Sequence, residues 1–295
     1  MKCSCVILNY NDADRCTAMV ERIHGYPSIA RIVLVDGGST DGLASKLAPL
    51  ATMDGVELLI LDRNGGYGFG NNRGVEYCLK HPLGYERELV LVANPDTNFP
   101  SQTVDELIAC IQQDKNAIAC APVQYTDDGK LVEGSAWPLP TAEQYAAVDS
   151  VLWSRVLRVP GYDVERYKSG EAMRVDCVAG ACVLLDAHKF AAVGMYHEDM
   201  FLYCEESSLG LRARRAGYSS YLCTKASYTH THGATTSKSL KNYMTRYTEL
   251  AKSRRYVVEN DYKVEGARRM LCRALLGAAN LEARIKSLYW SARTK

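Results

Sequence analysis

Short apolar runs alternate with helical patterns along the first part of the chain. The runs are rich in Val, Ile and Leu and predict buried strands at residues 3–8, 32–35, 56–61, 89–92 and 117–121. Between them, helical spacing is found at residues 19–24, 43–50 and 103–113. Because strands that alternate with helices form βαβ units, the pattern predicts an α/β fold whose central sheet is mainly parallel and flanked by helices.

The later part of the chain has a less regular pattern. Residues 126–169 contain many Gly and Pro residues and predict loops and short helices, where acceptor specificity could be determined. Residues 175–185 are apolar again, and Gly180 among them would let another group approach the backbone closely. The pattern then predicts a basic helix, a last strand and a helical end at residues 209–216, 218–223 and 236–295.

The fourth apolar run stops at Asn94-Pro95-Asp96. Pro95 cannot donate to a strand ladder, so the strand must end there, and Asn94 and Asp96 project from its carboxyl end. Ligands of open α/β sheets bind outside the carboxyl ends of the strands. A carboxylate at this position suits Mg²⁺ or Mn²⁺, which in turn can hold a diphosphate. The alternative is an ordinary turn, in which all three residue types are common.

Glycine-rich loops follow the second and third predicted strands. The first begins at Asp36, whose carboxylate could accept hydrogen bonds from a ribose or a base, or could form a helix cap or an Asx-turn. The second, at residues 63–74, could bring a diphosphate close to the backbone at the start of a helix. This second loop has neither the GxGxxG spacing of a dinucleotide fingerprint nor the GK[ST] of a P-loop.

Acidic and histidine side chains are concentrated later in the chain. Glu205-Glu206 precede the basic helix and could be first-turn acids favoured by the helix dipole, or a general base that takes a proton from a sugar hydroxyl. His230 and His232 follow the last predicted strand. One of these imidazoles could complete a metal shell begun by Asp96, although isolated surface histidines are common.

Composition narrows the class of protein. The chain has 295 residues, of which 47% are hydrophobic and 23% charged, as in a soluble globular protein. The formal net charge of +1 argues against a nucleic-acid partner. The 11 cysteines include no CxxC pair, so a zinc site is not expected, and their odd number without a signal peptide favours reduced thiols in the cytoplasm. No apolar run approaches the ~20 residues of a membrane span.

Taken in order, these segments resemble the family-2 glycosyltransferases, in particular the branch that includes bacterial rhamnosyltransferases. The resemblance covers roughly residues 3–250. Its motifs are the opening strand with Asn9 and Asn11, the VDNGSTDG-like segment 35–42, the Gly- and Asn-rich segment 63–74, Asn94-Pro95-Asp96 in place of a DxD-type metal motif, Gly180-Ala181, the FlYxED-like segment 201–206 and the HxxG-like segment 230–233.

The resemblance implies a GT-A fold and a metal-dependent, inverting transfer of a sugar from a nucleoside-diphosphate sugar. Glu206 stands at the position of the catalytic base, with Glu205 beside it, and Asp96 with His230 and His232 would bind Mg²⁺ or Mn²⁺. The residues that the resemblance assigns to nucleotide-sugar binding are Asn9, Asn11, Asp36, Gly38, Asp41, Asn64, Gly66, Tyr67, Gly70, Asn72, Asn94, Asp96, Gly180 and Arg212.

Two positions depart from the family pattern. The Glu-Asp pair of the family is Glu205-Glu206 here, and a further Asp that usually follows two residues later is Ser208. A glutamate can act as the base with one more methylene of reach, but the two changes leave a catalytically silent nucleotide-sugar-binding protein open. A nucleotidyltransferase-like enzyme of similar architecture, which would release pyrophosphate or need a triphosphate, is a further alternative.

The resemblance also predicts how the chain is organised. A catalytic domain at residues 1–235, with a nucleotide-sugar half (1–100) and an acceptor half (101–235), is followed by a helical extension at 236–295. The donor would be a dTDP- or UDP-linked sugar such as rhamnose, and the acceptor a glycan or lipid-linked glycan of a cell-surface polysaccharide. The basic, amphipathic tail predicts contact with the inner face of the plasma membrane, a homodimer contact, or a helix packed on the core.

Overall fold

The structure, a computed structural model, describes residues 1–231 and 242–293. A nine-stranded sheet lies at its centre, and two further short strands, β7 and β9, pair separately. The strands are β1 (Cys3–Asn9), β2 (Ile29–Asp36), β3 (Val56–Ile60), β4 (Leu89–Ala93), β5 (Thr97–Asn98), β6 (Ala117–Tyr125), β7 (Ala136–Trp137), β8 (Ala172–Val175), β9 (Cys177–Val178), β10 (Cys182–Asp186) and β11 (Ser219–His230).

The strand order of the sheet is β3-β2-β1-β4-β10-β6-β11-β5, and β8 pairs with β11. The neighbours from β3 to β4 are parallel, and β6 is parallel to β11. Because β10 is antiparallel to both β4 and β6, the strands β6 and β11 point the same way as the first four. The predicted mainly parallel sheet is thus confirmed for six strands, while β5, β8 and β10 run in the opposite direction.

Helices cover both faces of this sheet. Those before residue 232 are α1 (Ala13–Ile23), α2 (Gly66–Lys80), α3 (Ser101–Gln112), α4 (Ala142–Ala147), α5 (Trp153–Val156), α6 (Ala187–Ala192) and α7 (Glu205–Arg215). One apolar cluster joins the sheet to α1 and α3, and a second, built from the alternate strand residues, joins it to α2, α6 and α7. The glycine side of α2 lies directly on β1, because Gly74 contacts the side chain of Val6.

Several predicted elements have different bounds in the structure. The segment predicted as a helix at residues 43–50 is a 3₁₀ helix (Ala44–Thr52) that contains Pro49. The basic helix α7 begins at Glu205, so the carboxylate pair lies on its first turn. The last strand continues to His230 because a register shift between Cys223 and Ser227 lets it keep pairing with β6.

The end of the chain is helical, as predicted. It consists of α8 (Tyr243–Tyr256), a π-helical turn (Val257–Asp261) and α9 (Gly266–Arg293). The turn and α9 share a third apolar cluster with α4 and α7. The predicted domain boundary between residues 235 and 236 lies outside the described residues. Within 1–231 and 242–293, no helix has both the length and the apolar character needed to cross a membrane.

Candidate active site

Asp36 lies at the carboxyl end of β2, and its carboxylate is held by neighbouring groups. Asn9 Nδ2 donates to Asp36 Oδ1 at 2.7 Å, and the hydroxyl of Ser39 donates to the same oxygen at 2.6 Å. The N–H group of Ser39 donates to the other oxygen at 3.2 Å. Asn9 and Asp36 are both buried. Asn9, which the resemblance assigns to the nucleotide, therefore fixes the Asp36 carboxylate at the edge of the sheet.

Asn11 connects the loop after β1 to the loop after β2. Its backbone has a positive φ of 55°. Its side-chain oxygen accepts hydrogen bonds from the N–H groups of Thr40 at 2.8 Å and Asp41 at 3.2 Å. The exposed carboxylate of Asp41 accepts a hydrogen bond from the N–H group of Leu43 at 3.0 Å. Asn11 and Asp41 thus shape the loop that borders Asp36.

Two glycines bring the loops of this edge together. A Cβ on Gly38, whose φ is 71°, would lie 2.7 Å from the carbonyl carbon of Arg63. A Cβ on Gly66, whose φ is 92°, would overlap the carbonyl oxygen of Phe201. Both positions therefore need glycine for conformation and for space. The loops after β2 and β3 are in this way packed against each other and against the segment that precedes α7.

Hydrogen bonds attach the start of α2 to the opposite wall of the site. Asn64 Oδ1 accepts a hydrogen bond from the N–H group of Gly66 at 2.9 Å, and the N–H group of Tyr67 donates to the carbonyl oxygen of Phe201 at 2.9 Å. The hydroxyl of Tyr67 donates to the carbonyl oxygen of Gly180 at 2.8 Å. The predicted residues Asn64, Gly66, Tyr67 and Gly180 are therefore brought together.

Gly66→Ala should destabilise the protein by about 3 kcal/mol, because the substitution adds both backbone strain and a clash with a carbonyl group that cannot move freely. Gly129→Ala is the matched control, since Gly129 has a φ of 79° but open space around its Cβ position. We expect the control to cost about 1 kcal/mol. Urea unfolding of both variants measures the difference, and equal losses would contradict the close approach to Phe201.

Three residues of the predicted nucleotide-binding set make structural contacts with neighbouring segments. Asn72 exchanges hydrogen bonds with the backbone of Tyr196 at 2.9 and 3.1 Å. Gly70 allows α2 to contact β1. Arg212 Nη1 donates to the carbonyl oxygen of Val193 at 2.5 Å. The side chains of Asn72 and Arg212 are thus used to hold neighbouring segments.

A cavity of about 580 Å³ opens between α7, the end of β4 and the irregular segment that precedes β8. Six predicted site residues line it: Tyr67, Asn94, Gly180, Glu205, Glu206 and His230. The sequence predicted an acceptor region at residues 126–169 without naming residues. The structure adds to the cavity a wall of apolar and aromatic side chains together with an arginine: Trp137, Pro140, Tyr145, Val159, Leu250 and Arg254. Leu250 and Arg254 belong to α8, so the helical extension forms part of the cavity.

Two adjacent carboxylates lie on the first turn of α7. Glu206 Oε1 accepts a hydrogen bond from the N–H group of Gly180 at 3.2 Å. A Cβ on residue 180 would lie 2.8 Å from the same oxygen, so Gly180 makes room for the longer side chain of Glu206. Burial raises the pKa of Glu206. Burial, together with the neighbouring charge of Glu206, raises the pKa of Glu205 to about 8.

The raised pKa of Glu205 predicts a pH-dependent stability. Well below the ordinary pKa of 4.5, the Glu205 carboxyl is protonated in both the folded and the unfolded protein. Between pH 4.5 and the folded-state pKa of about 8, it ionises only in the unfolded protein. The free energy of unfolding therefore falls as the pH rises through this range. Glu205→Gln cannot ionise and should be more stable than wild type at pH 8 by ~4 kcal/mol, with little difference at pH 4.5. Urea unfolding at the two pH values tests this, and a constant difference would contradict the shift.

Asp96 and His230 meet at the end of the fourth strand. His230 Nε2 lies 3.1 Å from Asp96 Oδ1, and both side chains are mostly buried. The pairing of β11 with β5 places His230 opposite Thr97, one residue after Asp96. The N–H group of Asn94 donates to the carbonyl oxygen of Ala181 at 2.8 Å, which orders the same edge of the cavity.

Asp96 and His230 fit a divalent cation by the chemistry of their donor atoms. Carboxylate oxygens suit Mg²⁺ and Mn²⁺, and imidazole is a common ligand of transition metals. Across the ranges 1–231 and 242–293, no group of three or more His, Cys, Asp or Glu residues has the arrangement of a metal site. The described part of the chain would therefore supply two ligands to such a cation, Asp96 and His230. The third predicted ligand, His232, lies outside the described residues.

A carboxylate from the helical extension stands near Ser208, where the family usually has an Asp. The Ser208 hydroxyl accepts a hydrogen bond from Arg212 Nη2 at 3.3 Å. Asp261 Oδ1 lies 3.8 Å from Arg212 Nε and 3.0 Å from His197 Nε2. Asp261 thus supplies α7 with an acidic partner from the π-helical turn. Nothing in the sequence pattern indicated this contact.

Comparison with known proteins assigns the chain to a family. The profile of glycosyl transferase family 2 matches residues 4–168, which is more than half of the chain, and the protein belongs to this family. Its sequence is similar to the low-salt glycan biosynthesis hexosyltransferase Agl10 of Haloferax volcanii, with 29% identity over 212 residues, or 72% of this chain and 61% of that protein. It is also similar to the N-acetylglucosaminyl-diphospho-decaprenol L-rhamnosyltransferase of Mycobacterium tuberculosis, with 30% identity over 205 residues, or 68% and 66% of the two chains. The matches span slightly less than two thirds of the length of these relatives.

Solved structures share the fold. A structure of GalNAc-T7 with UDP, GalNAc and Mn²⁺ is similar with a TM-score of 0.62 at 18% identity, over 89% of this chain and 49% of that one. A structure of S. aureus TarS 1-349 in complex with UDP gives a TM-score of 0.54 at 14% identity, over 94% and 71%. The predicted GT-A fold is confirmed.

Proposed function

We propose that this protein is an inverting glycosyltransferase that moves a sugar from a nucleoside-diphosphate sugar to a hydroxyl group of a glycan or lipid-linked glycan. The observation that carries the proposal is the half-buried carboxylate of Glu206 in a cavity that His230 and Asn94 also line. A base for the acceptor and polar groups for the departing diphosphate thus border one space. A single displacement needs this arrangement, because the acceptor must approach opposite the leaving group.

Glu206 is the proposed base. The N–H group of Gly180 holds its carboxylate, while burial raises its pKa and so makes it a stronger proton acceptor. As the acceptor oxygen attacks the anomeric carbon, its proton passes to Glu206. The bond between that carbon and the diphosphate oxygen breaks on the opposite side, so that the configuration of the sugar inverts. No protein nucleophile is needed.

The other predicted residues would hold the donor. The Asp36 carboxylate, which Asn9 and Ser39 hold at the end of β2, would accept hydrogen bonds from a ribose or a base. Asp96 and His230 would bind Mg²⁺ or Mn²⁺, which when bound offsets negative charge on the leaving diphosphate. The UDP in both neighbouring structures supports a UDP-linked donor, and the name of the mycobacterial relative makes rhamnose the first sugar to test. A dTDP-linked donor follows from the family resemblance of the sequence alone. Such an enzyme would work in the cytoplasm on a cell-surface polysaccharide.

The proposal is tested by incubating the protein with dTDP-rhamnose, UDP-glucose or UDP-N-acetylglucosamine, Mn²⁺ and a lipid-linked glycan acceptor. We expect release of one nucleoside diphosphate that depends on the acceptor, and a product whose anomeric configuration, read by NMR, is inverted. Release of pyrophosphate from a nucleoside triphosphate and a sugar phosphate would indicate a nucleotidyltransferase instead. Binding of a donor without turnover of any donor would indicate a silent binding protein.

A further inference from the structure

The helix α9 has two apolar faces. The face that packs on the core consists of small and apolar residues: Cys272, Leu275, Ala279 and Ala283. On the outer face, Leu281, Ile285 and Leu288 are exposed. Because an α-helix turns by ~100° per residue, these three side chains share one face that lies roughly opposite Ala283. The outer face is therefore an apolar stripe that the fold leaves uncovered in the described structure.

Basic residues border one side of the outer stripe. By helical position, Arg273 and Arg284 lie along this side, and both side chains are exposed. Arg273 pairs with Glu259 at 2.9 Å, so the net positive charge of this border comes from Arg284. An exposed apolar stripe next to basic side chains is a feature of helices that lie in the headgroup region of an anionic bilayer.

A second exposed apolar segment is attached to the side of α9. Val151, Leu152 and Val156 are more than half exposed around the short helix α5. Glu282 of α9 accepts hydrogen bonds from the Ser150 hydroxyl at 2.7 Å and from the Val151 N–H group at 2.5 Å. These bonds hold the segment beside the outer stripe. We call residues 148–156 and the stripe of α9 together the outer apolar surface.

The outer apolar surface reaches the mouth of the cavity. Val148 belongs to the surface and also lines the cavity, as do Val159 and Pro160 a few residues later. The exposed charged side chains between residues 148 and 160 are both positive, namely Arg155 and Arg158. The acidic residue of this segment, Asp149, turns inward to pair with Arg254 at 2.9 Å, just as Glu282 of α9 is engaged by Ser150.

We propose that the outer apolar surface docks on an anionic lipid bilayer, so that the cavity opens at the level of the lipid headgroups. The exposed Arg284 of α9, with Arg155 and Arg158 near α5, would meet anionic headgroups, and the apolar side chains of both segments would enter the acyl boundary. A sugar carried on a lipid diphosphate lies at this level, where the Glu206 side of the cavity would receive it. The statement about the acceptor rests on the proposed function, whereas the docking itself does not.

Vesicle flotation tests the docking. We compare phosphatidylcholine vesicles that contain phosphatidylglycerol with vesicles of phosphatidylcholine alone. The variants are the pairs Leu281→Gln with Ile285→Gln and Val151→Ser with Leu152→Ser. The matched control is Ile60→Gln, because Ile60 is 69% exposed on β3 and Ile285 is 59% exposed. We expect wild type and the control to float with anionic vesicles, and each double variant to lose about tenfold or more in partitioning.

Three results would overturn the docking: wild type that does not float with anionic vesicles, double variants that float as wild type does, or a wild-type dimer that the double variants convert to monomers in light scattering. Transfer to a water-soluble acceptor separates docking from function. If wild type floats but no donor is turned over, the docking stands and the proposed function fails. If donors are turned over without flotation, the function stands and the docking fails.

Discussion

Glu206→Gln is expected to lower the rate of sugar transfer by about 10³-fold or more and to leave the affinity for the nucleoside diphosphate within about twofold of wild type. The amide has nearly the same shape and still accepts the Gly180 hydrogen bond, but it cannot take a proton from the acceptor hydroxyl. Single-turnover transfer assays and calorimetric binding measure the two quantities separately.

Two variants accompany this experiment. Glu206→Asp keeps the charge but shortens the side chain, so we expect a rate up to about 100-fold below wild type and well above that of Glu206→Gln. Glu21→Gln removes an exposed carboxylate on α1 and should have wild-type activity. Near-normal transfer by Glu206→Gln would rule out this residue as the base, and loss confined to Glu205→Gln would move the role to its neighbour.

Asp96→Asn is expected to remove the metal-dependent part of nucleoside-diphosphate binding and to lower transfer by about 10²- to 10³-fold. The amide keeps an oxygen next to His230, so the local hydrogen bond can persist while the negative charge that attracts the cation is lost. Titration of Mn²⁺ into the variant, followed by calorimetry with the nucleotide, measures the loss directly.

Asp54→Asn changes an exposed residue just before the amino end of β3, whereas the site lies at the carboxyl ends of the strands. It is the control for Asp96→Asn and should bind nucleotide as wild type does. If Asp96→Asn keeps full metal-dependent binding, the side chain is a turn residue, which is the alternative that the sequence left open. If both variants lose nucleotide binding equally, the loss is caused by the change in the protein's net charge and not by the removal of a metal ligand.

The sequence predicts well those strands whose burial is visible in the local pattern of apolar residues. A strand buried on both faces needs a continuous apolar run, and β1, β2 and β4 have one; Pro95 then marks where β4 ends. Polar residues directly after such strands lie at one edge of a parallel sheet, which is why Asp36 and Asp96 could be selected as candidates. The π-helical turn and the continuation of β11 past a register shift depend on tertiary contacts and have no such local pattern.

The contacts that hold the site residues in place are harder to predict, because the residues that make them are distant in sequence. Asn9 and Asn72 match the family motifs, yet their hydrogen bonds go to Asp36 and to the backbone of Tyr196. Arg254 enters the cavity wall from a helix that follows the catalytic motifs by many residues. Residue type and spacing identify polar side chains near a strand end, but only packing decides which of them face the cavity.

The two departures from the family pattern have structural counterparts. Gly180 provides space and an N–H donor for the longer Glu206 side chain. Asp261 places a carboxylate beside Arg212, close to the buried Ser208. The hydrogen bond from Gly180 holds the Glu206 carboxylate, and the Asp261 carboxylate offsets the charge of Arg212 on α7.

The central claim is that Asp96 anchors a metal-dependent site for one nucleoside diphosphate. Calorimetric titration of the wild-type protein with dTDP, UDP, GDP and NAD⁺, each in Mn²⁺ and in EDTA, tests it most directly. We predict that one nucleoside diphosphate binds tightly in Mn²⁺ and that EDTA abolishes the binding. Binding of NAD⁺, or equal binding of every nucleotide with and without the metal, would contradict the claim.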